Sequence, residues 1–207
     1  MEIKKRKNNN IFIIIGILLI ISGLCFISYD CLKNINQDIV EEKAVNDFYI
    51  NQDNVIIEED RQEPNIQEEV KKDNKINYIA MIKIPKINLE RGLVDRNSYL
   101  NNVKYNVQIL DNSSMPDEIN GNVILAAHSG NGRNAYFKDL DKLSINDEII
   151  IDYNSKTYKY KVINIYDIDK TGKANIIRNK NASTLTLVTC RHNTNKQIII
   201  IAELMNL

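Results

Sequence analysis

Residues 184–190 read TLTLVTC, an apolar and β-branched run that predicts a β-strand ending at Cys190. A second such run follows at 197–204, QIIIIAEL, and its continuous apolar stretch 198–201 is typical of a strand covered on both faces. The few residues between the two runs are polar. This part of the chain therefore predicts two strands of a β-domain, with a thiol at the end of the first strand.

Similar short runs precede these two strands, all rich in valine, isoleucine, tyrosine and threonine. They lie at 79–84, 123–127, 148–152 and 158–166. Turn-forming pairs separate several of them, namely Asn120-Gly121, Asn146-Asp147 and Asn154-Ser155. The segment 135–143, AYFKDLDKL, has apolar residues at helical spacing and predicts one short helix. Many short strands with one or two short helices predict a mainly β fold, most simply a largely antiparallel barrel.

An uncharged apolar run, IFIIIGILLIISGLCFIS, occupies residues 11–28, close to the ~20 residues that a membrane-spanning helix needs. Basic residues at positions 4–7 precede it, so the positive-inside rule places the N-terminus in the cytoplasm. A cleaved signal peptide is the alternative, but its apolar core is ~7–15 residues long and small residues mark its cleavage site. We predict a cytoplasmic basic segment 1–10, a single transmembrane anchor 11–29, and a cell-membrane protein whose remainder is extracellular.

Residues 30–75 are mostly polar, with some helical character near 32–50. The stretch 58–73, EEDRQEPNIQEEVKKD, is highly charged and contains a proline, which suits a solvated spacer better than a packed core. We therefore predict an extracellular polar stalk over 30–75 and a folded domain over 76–207. Lysine plus arginine and aspartate plus glutamate both number 27, so the charge balance gives no support for nucleic-acid binding.

A second reactive side chain lies at the end of a predicted strand in NVILAAHSG, residues 122–130, where His128 precedes the break at Ser129-Gly130. A thiol and an imidazole at two strand ends are what cysteine nucleophilic catalysis requires, because the thiolate attacks a carbonyl carbon and the histidine transfers protons. Each residue also has a purely structural interpretation. A cysteine at a strand end is often a small buried hydrophobe, and a histidine there is often only a hydrogen-bonding group.

Other arrangements of these groups fit the sequence less well. His192 is the only other histidine and lies two residues after Cys190, which makes it the rival proton carrier, although a loop histidine that tunes the local field suits it better. A metal site of Cys190, His192 and His128 lacks a fourth ligand and a characteristic spacing. The three cysteines, at 25, 31 and 190, are too few for a disulfide framework, so we treat Cys190 as a free thiol.

Taken together, the motifs resemble the sortase family, the cysteine transpeptidases of Gram-positive cell surfaces. TLVTC at 186–190 matches the TLxTC motif of the family, and NVILAAHSG resembles the histidine motif that precedes it by about sixty residues. The segment 82–89, IKIPKINL, resembles the first barrel strand of the family. The order of anchor, polar spacer and C-terminal domain is also the layout of the family.

The resemblance implies a closed eight-stranded β-barrel and a two-step reaction. Cys190 is the implied nucleophile, which attacks the Thr–Gly bond of an LPxTG-like sorting signal and forms a thioacyl intermediate. An amine of a peptidoglycan precursor or of a pilin then resolves this intermediate, with His128 as the implied acid and base. Because the thioester keeps the energy of the cleaved bond, the resemblance implies no metal and no cofactor.

One position departs from the family pattern. The family has a catalytic arginine at the start of the last strand, and Gln197 occupies that position here, preceded by Lys196. We predict that Arg191 takes its place, although in an extended strand Arg191 points to the face opposite to Cys190. Lys196 and the side-chain amide of Gln197 are alternative hydrogen-bond donors, and Arg133 is a more remote candidate. The departure keeps two alternatives open, a catalytically degenerate surface module and a cysteine peptidase that hydrolyses its intermediate.

Overall fold

The computed structural model describes residues 10–55, 76–172 and 174–205 of the chain. Its N-terminal helix, α1, spans Asn10–Val55. Within it, Ile13–Gln52 is long and apolar enough to cross a membrane, with a mean hydropathy of 2.3 over its most apolar window. Length and composition are the basis of that assignment, and a signal sequence near an N-terminus satisfies them too. The basic residues 4–7 and the charged stretch 58–73 lie outside the described residues.

Eight strands form one sheet in the order β2-β1-β5-β6-β8-β7-β4-β3. Their bounds are Tyr78–Ile84 (β1), Leu89–Val94 (β2), Gln108–Ile109 (β3), Asn122–Ala126 (β4), Glu148–Tyr153 (β5), Lys156–Asp169 (β6), Thr184–Cys190 (β7) and Lys196–Leu204 (β8). Each run predicted as a strand is confirmed, with its ends shifted by a few residues. The β4–β7 pair is parallel, and the other neighbours are antiparallel.

The sheet curls into a nearly closed barrel whose seam lies between its edge strands β2 and β3. Among the described residues no strand ladder joins these two edges. The buried side chain of Asn106, from the segment before β3, accepts a hydrogen bond from Arg91 Nε at 2.7 Å and donates one to the Gly92 carbonyl at 2.8 Å in β2. Asn101, from the segment after β2, bonds the backbone of Ile109 in β3 at 2.7 and 3.0 Å. The predicted eight-stranded barrel is thus confirmed, with side-chain hydrogen bonds across the seam where full closure would need a ladder.

Successive side chains of the last two strands pack alternately in two different apolar clusters. The barrel interior contains Leu185 and Leu187 of β7 and Ile198 and Ile200 of β8. The intervening Val188, Ile199 and Ile201 join Ile124 of β4 in a second cluster on the outer face of the sheet. Both faces of β7 and β8 are therefore covered, as the continuous apolar stretch 198–201 predicts.

The predicted short helix over 135–143 is wrong in type. This segment forms consecutive tight turns that end in a 3₁₀ turn, Leu140–Lys142. Its backbone hydrogen bonds join residues three apart, as from Leu140 N to the Phe137 carbonyl and from Leu143 N to the Leu140 carbonyl. The three apolar residues 137, 140 and 143 are all buried, and their spacing of three matches 3₁₀ geometry.

The end of α1 belongs to the same compact unit as the barrel, which extends over Ala44–Leu207. Ala44 and Phe48 are buried against Tyr78 and Met81 of β1 and Val94 of β2. Around them, the Tyr49 hydroxyl donates to Glu90 Oε1 at 2.9 Å, and Lys83 Nζ lies 4.9 Å from the centre of the Tyr49 ring. Residues 44–52, which fall within the predicted stalk, are thus packed on the barrel, while the domain boundaries themselves stay a prediction.

Candidate active site

The parallel pair β4–β7 brings His128 and Cys190 to the same end of the barrel. Its register runs from Asn122 opposite Thr184 to Ala126 opposite Val188. The pairing continues beyond β4, because Ala127 N donates to the Val188 carbonyl at 3.3 Å. One further step along both chains sets His128 beside Cys190. Since parallel strands at equal register positions present side chains to the same face, the imidazole and the thiol share one face of the sheet.

Thr189 fixes this register from the other face. Its buried hydroxyl donates to the Ala127 carbonyl at 2.7 Å, which ties the residue before Cys190 to the residue before His128. The strand alternation of 184–190 points residue 189 away from residue 190 and predicts a structural role for Thr189.

The face that carries His128 and Cys190 is the outer one. Ile124 and Val188 lie on the same face of their strands and belong to the outer apolar cluster. Partly buried apolar side chains surround that cluster, namely Leu110, Ala126, Tyr166, Ile168 and Ile176. His128 is exposed and Cys190 half-buried, so both are accessible at the end of an apolar surface.

The segment after His128 is held close to the barrel end. Phe137 N donates to the His128 carbonyl at 3.0 Å, so a loop leaves the strand and returns to it. Ser129 is buried and lines a small pocket together with Cys190 and His192. His192 itself is exposed in the β7–β8 turn. The strand register thus sets His128 beside Cys190, and His192 lines the small pocket next to Cys190.

Arg191 lies close to Cys190 in sequence, but its guanidinium is directed elsewhere. Arg191 N donates to the Lys196 carbonyl at 2.9 Å, so the β7–β8 ladder continues through this residue. Arg191 therefore alternates to the face opposite to Cys190. There its Nε donates to Asp167 Oδ1 of β6 at 2.9 Å. The other predicted candidate, Arg133, lines a separate cleft beside the turn between β1 and β2.

Gln197 stands directly opposite Cys190 on the neighbouring antiparallel strand. On its other side it pairs with Ile168 of β6. Cross-strand partners share a face, so the Gln197 side chain lies on the face of the thiol and the imidazole. The strand pairing therefore sets His128, Cys190 and Gln197 on one face, whereas Arg191 lines the pocket next to Cys190 and directs its guanidinium to Asp167.

Asp139, which follows the histidine segment, pairs with a lysine. Asp139 Oδ1 lies 2.8 Å from Lys142 Nζ, and this hydrogen bond lowers the pKa of the Asp139 carboxyl. The charge of His192 contributes to the same lowering. Asp139 is thus a solvated carboxylate paired with a neighbouring lysine.

Comparison with known families identifies the domain. The model of the Sortase domain matches residues 82–205, which include His128, Cys190 and the whole register between them. The chain belongs to the sortase family. Members of this family are known as cysteine transpeptidases. A comparison with curated protein sequences found no significant match.

Solved sortase structures share the fold. A sortase D5 transpeptidase from Clostridium perfringens has a TM-score of 0.57 and 25% identity, covering 81% of this chain and 99% of its own. Sortase C1 from Streptococcus agalactiae has a TM-score of 0.54 and 26% identity, covering 63% of this chain and 68% of its own. A lid mutant of sortase A from Corynebacterium diphtheriae has a TM-score of 0.57 and 21% identity, covering 66% of this chain and 74% of its own. These neighbours belong to sortase classes A, C and D, so the similarity assigns no single class.

Proposed function

We propose that this sortase is a membrane-anchored cysteine transpeptidase that cleaves an LPxTG-like sorting signal and transfers the secreted protein to an amine of the cell wall or of a pilin. The observation that carries the proposal is the parallel β4–β7 register, which sets His128 beside Cys190 in a matched Sortase domain. The strand geometry alone, without a suitable pair of side chains, would not support cysteine catalysis. Here a nucleophile and a proton carrier occupy adjacent positions on one face.

In the first step, the proton of the Cys190 thiol passes to His128 and the sulfur attacks the carbonyl carbon of the scissile peptide bond. A carbon–sulfur bond forms, and the carbonyl oxygen takes the electron pair and becomes an oxyanion. The tetrahedral intermediate collapses when the carbon–nitrogen bond breaks, and the His128 imidazolium gives its proton to the leaving amine. A thioacyl enzyme remains on Cys190.

In the second step, an acceptor amine attacks the thioester carbon and loses a proton to His128. The carbon–sulfur bond breaks, and the thiol is regenerated when His128 returns the proton. Water competes for the same intermediate and gives hydrolysis. The thioester conserves the energy of the cleaved bond, so neither a metal nor a cofactor takes part in the proposed cycle.

The outer apolar cluster supports an extended peptide as the donor substrate. The partly buried side chains of Leu110, Tyr166, Ile168 and Ile176, which pack on this cluster, form an apolar floor on the face that carries Cys190. Apolar side chains of a sorting signal would lose exposed surface on it, which stabilises binding by roughly 25 cal/mol per Å² removed from water. We place the residues before the scissile bond along this floor.

Helix α1 supports the membrane location. The apolar side chains of its first half, such as Ile13, Leu19 and Phe26, are exposed, as lipid contact requires. The basic residues at 4–7 favour a cytoplasmic N-terminus. We propose a single-pass protein whose barrel lies outside the cell, where sorting signals and acceptor amines occur.

The test is incubation of the full-length protein in detergent with fluorogenic LPxTG-type peptides, with and without an amine acceptor. Thioacyl enzyme is measured by mass spectrometry after acid quench. We expect an adduct on Cys190 that disappears faster when amine is added. Cys190→Ala should form no adduct, and His128→Ala should lower the acylation rate by at least ~10²-fold, the usual contribution of a general acid and base.

Two results would contradict the proposal in different ways. An adduct that reacts with water at the same rate whether or not amine is present would indicate a hydrolysing cysteine peptidase. No adduct from a broad peptide library, with a protein that is folded by circular dichroism, would indicate a degenerate surface module.

A further inference from the structure

We propose that the side-chain amide of Gln197 is the hydrogen-bond donor that stabilises the oxyanion formed at Cys190. The inference rests on the proposed transpeptidase function and adds a third catalytic residue to it. It also assigns to an uncharged side chain a role for which the sequence predicted the guanidinium of Arg191.

The strand pairing places Gln197 within reach of the reacting carbon. Arg191 N donates to the Lys196 carbonyl, which sets Arg191 and Lys196 at a hydrogen-bonded position of the antiparallel pairing, while Lys196 N donates to Thr194 Oγ1 at 3.3 Å. The next pair, Cys190 and Gln197, is therefore of the non-hydrogen-bonded type, in which opposite side chains approach most closely, with Cα atoms about 4.5 Å apart. A carbonyl carbon bonded to Cys190 Sγ then lies beside the Gln197 side chain.

The Gln197 amide is also available and partly shielded from water. It makes no hydrogen bond to another residue in the described part of the chain. Gln197 is half-buried, and the partly buried Ile168 flanks it on the side away from Cys190. A donor in such a partly apolar setting stabilises a neighbouring negative charge more than one in bulk water does.

Lys138 lines the small pocket next to Cys190, whereas Arg191 and Lys196 are directed to the opposite face and Arg178 is bound at the far end of β7. Arg191 lies on the opposite face and pairs with Asp167 at 2.9 Å. Lys196 precedes Gln197 on β8, so strand alternation turns it to the face of Arg191. Arg178 uses its Nη1 to contact the backbone carbonyls of Asn120, Asn179 and Ala182. Among the described residues of β7 and β8 on the face of Cys190, Gln197 carries the side-chain N–H donor.

The role of Gln197 is confined to the two tetrahedral intermediates. When Sγ attacks, the carbonyl oxygen gains the electron pair and the Gln197 Nε2–H donates to it. When the carbon–nitrogen bond breaks, the oxygen returns the pair to the carbonyl and the hydrogen bond weakens. Gln197 neither gains nor loses a proton in either step.

The experiment measures single-turnover acylation of the full-length protein in detergent, by mass spectrometry, with the peptide that gives the Cys190 adduct. Gln197→Ala should slow acylation by about 10²-fold, the usual effect of losing one oxyanion donor, with little change in the peptide concentration at half-maximal rate. Gln197→Glu should be slow at neutral pH and recover as the pH falls, because only the protonated carboxyl donates a hydrogen bond. Gln37→Ala, the same change in α1, is the matched control.

The outcomes separate this inference from the function on which it rests. Acylation by Gln197→Ala at the wild-type rate overturns the inference, and a large loss in Arg191→Ala alone would assign the role to Arg191. A pH-independent loss in Gln197→Glu, equal to that of Gln197→Ala, would indicate a structural contribution and also overturn it. If the wild-type protein forms no adduct, the failure belongs to the transpeptidase function, and both proposals fall together.

Discussion

At the residue scale, Thr189 connects the fold to the chemistry. Its hydroxyl hydrogen bond to the Ala127 carbonyl joins the two strand ends that carry Cys190 and His128. We predict that Thr189→Val lowers kcat on the order of tenfold, because small displacements of reacting groups are costly to rate. The unpaired Ala127 carbonyl should also reduce the free energy of unfolding by roughly 1–3 kcal/mol. Steady-state kinetics and thermal unfolding check the two effects.

Thr186→Val is the matched control for Thr189→Val. Thr186 is fully buried in the same strand, and its hydroxyl donates to Asn122 Oδ1 at 2.9 Å, toward the other end of β7. This variant should lose comparable stability and keep kcat within about twofold, since the affected hydrogen bond does not touch the strand ends that carry Cys190 and His128. Equal kinetic losses in the two variants would show that Thr189 contributes only general stability.

The residue scale also shows where sequence reasoning ends. The nucleophile and its histidine were predictable, because each is a reactive side chain at the end of a strong strand pattern. The neighbours of Cys190 were not. Strand alternation indicated that Arg191 faces away, yet whether the strand continues past Cys190 depends on the hydrogen bond to Lys196, which joins residues across a turn. The same non-local pairing sets Gln197 opposite Cys190.

At the element scale, the end of α1 acts as part of the barrel domain. Phe48 is 7% exposed and packs against β1 and β2. We predict that Phe48→Ala reduces the free energy of unfolding by about 3 kcal/mol, as burial and cavity terms together suggest. For a chain of this length that corresponds to a fall in Tm of roughly 6–12 °C. Near-UV circular dichroism of the full-length protein in detergent measures it.

Ile50→Ala provides the comparison on the same helix. Ile50 is 57% exposed, so its truncation should change the free energy of unfolding by no more than about 0.5 kcal/mol. If both variants unfold at the wild-type temperature, the packing of α1 on the barrel contributes nothing to stability. The prediction that residues 44–52 belong to a polar spacer would then hold, although these residues contact the barrel.

The elements differ in how well their sequences specify them. The strands were predictable because β-branched runs and Asn-containing turns are local signals. The segment 135–143 was predicted as a helix because apolar residues three apart fit both helical types. Its backbone is drawn into 3₁₀ turns, since Phe137 and Leu140 must both reach the barrel interior. The burial of Ala44 and Phe48 left no local signal, because their partners lie more than thirty residues away in β1.

At the scale of the whole molecule, the site depends on one exception to an otherwise antiparallel sheet. Two antiparallel neighbours have their C-terminal ends at opposite ends of the barrel, whereas the parallel pair β4–β7 has both C-terminal ends at the same end. This parallel pairing brings the two reactive side chains to one end of the barrel. Composition and periodicity predicted a barrel, but pairing between strands about sixty residues apart is a property of the complete sheet.

The barrel as a whole should lose stability at alkaline pH. Burial raises the pKa of the Tyr160 hydroxyl in the barrel interior. Burial is the largest single influence on Lys83 and lowers its pKa, but the hydrogen bonds and charges of Asp152 and Tyr49 together exceed it and raise the pKa of Lys83. Both groups hold their protons more tightly in the folded state than in the unfolded chain, where tyrosine and lysine titrate near ~10. Their stabilising contribution is therefore complete below pH ~10 and is lost as the pH rises through the folded-state pKa values.

Tyr160→Phe tests this prediction, because it removes one titrating group and keeps the apolar ring. Between pH 9 and about 11.5, the wild-type Tm should fall more steeply than that of Tyr160→Phe, since the unfolded wild-type chain releases one more proton than the folded one. Tyr99→Phe, at an 80% exposed position, should follow the wild-type curve. Parallel curves for wild type and Tyr160→Phe would mean that the barrel opens to solvent before Tyr160 ionises.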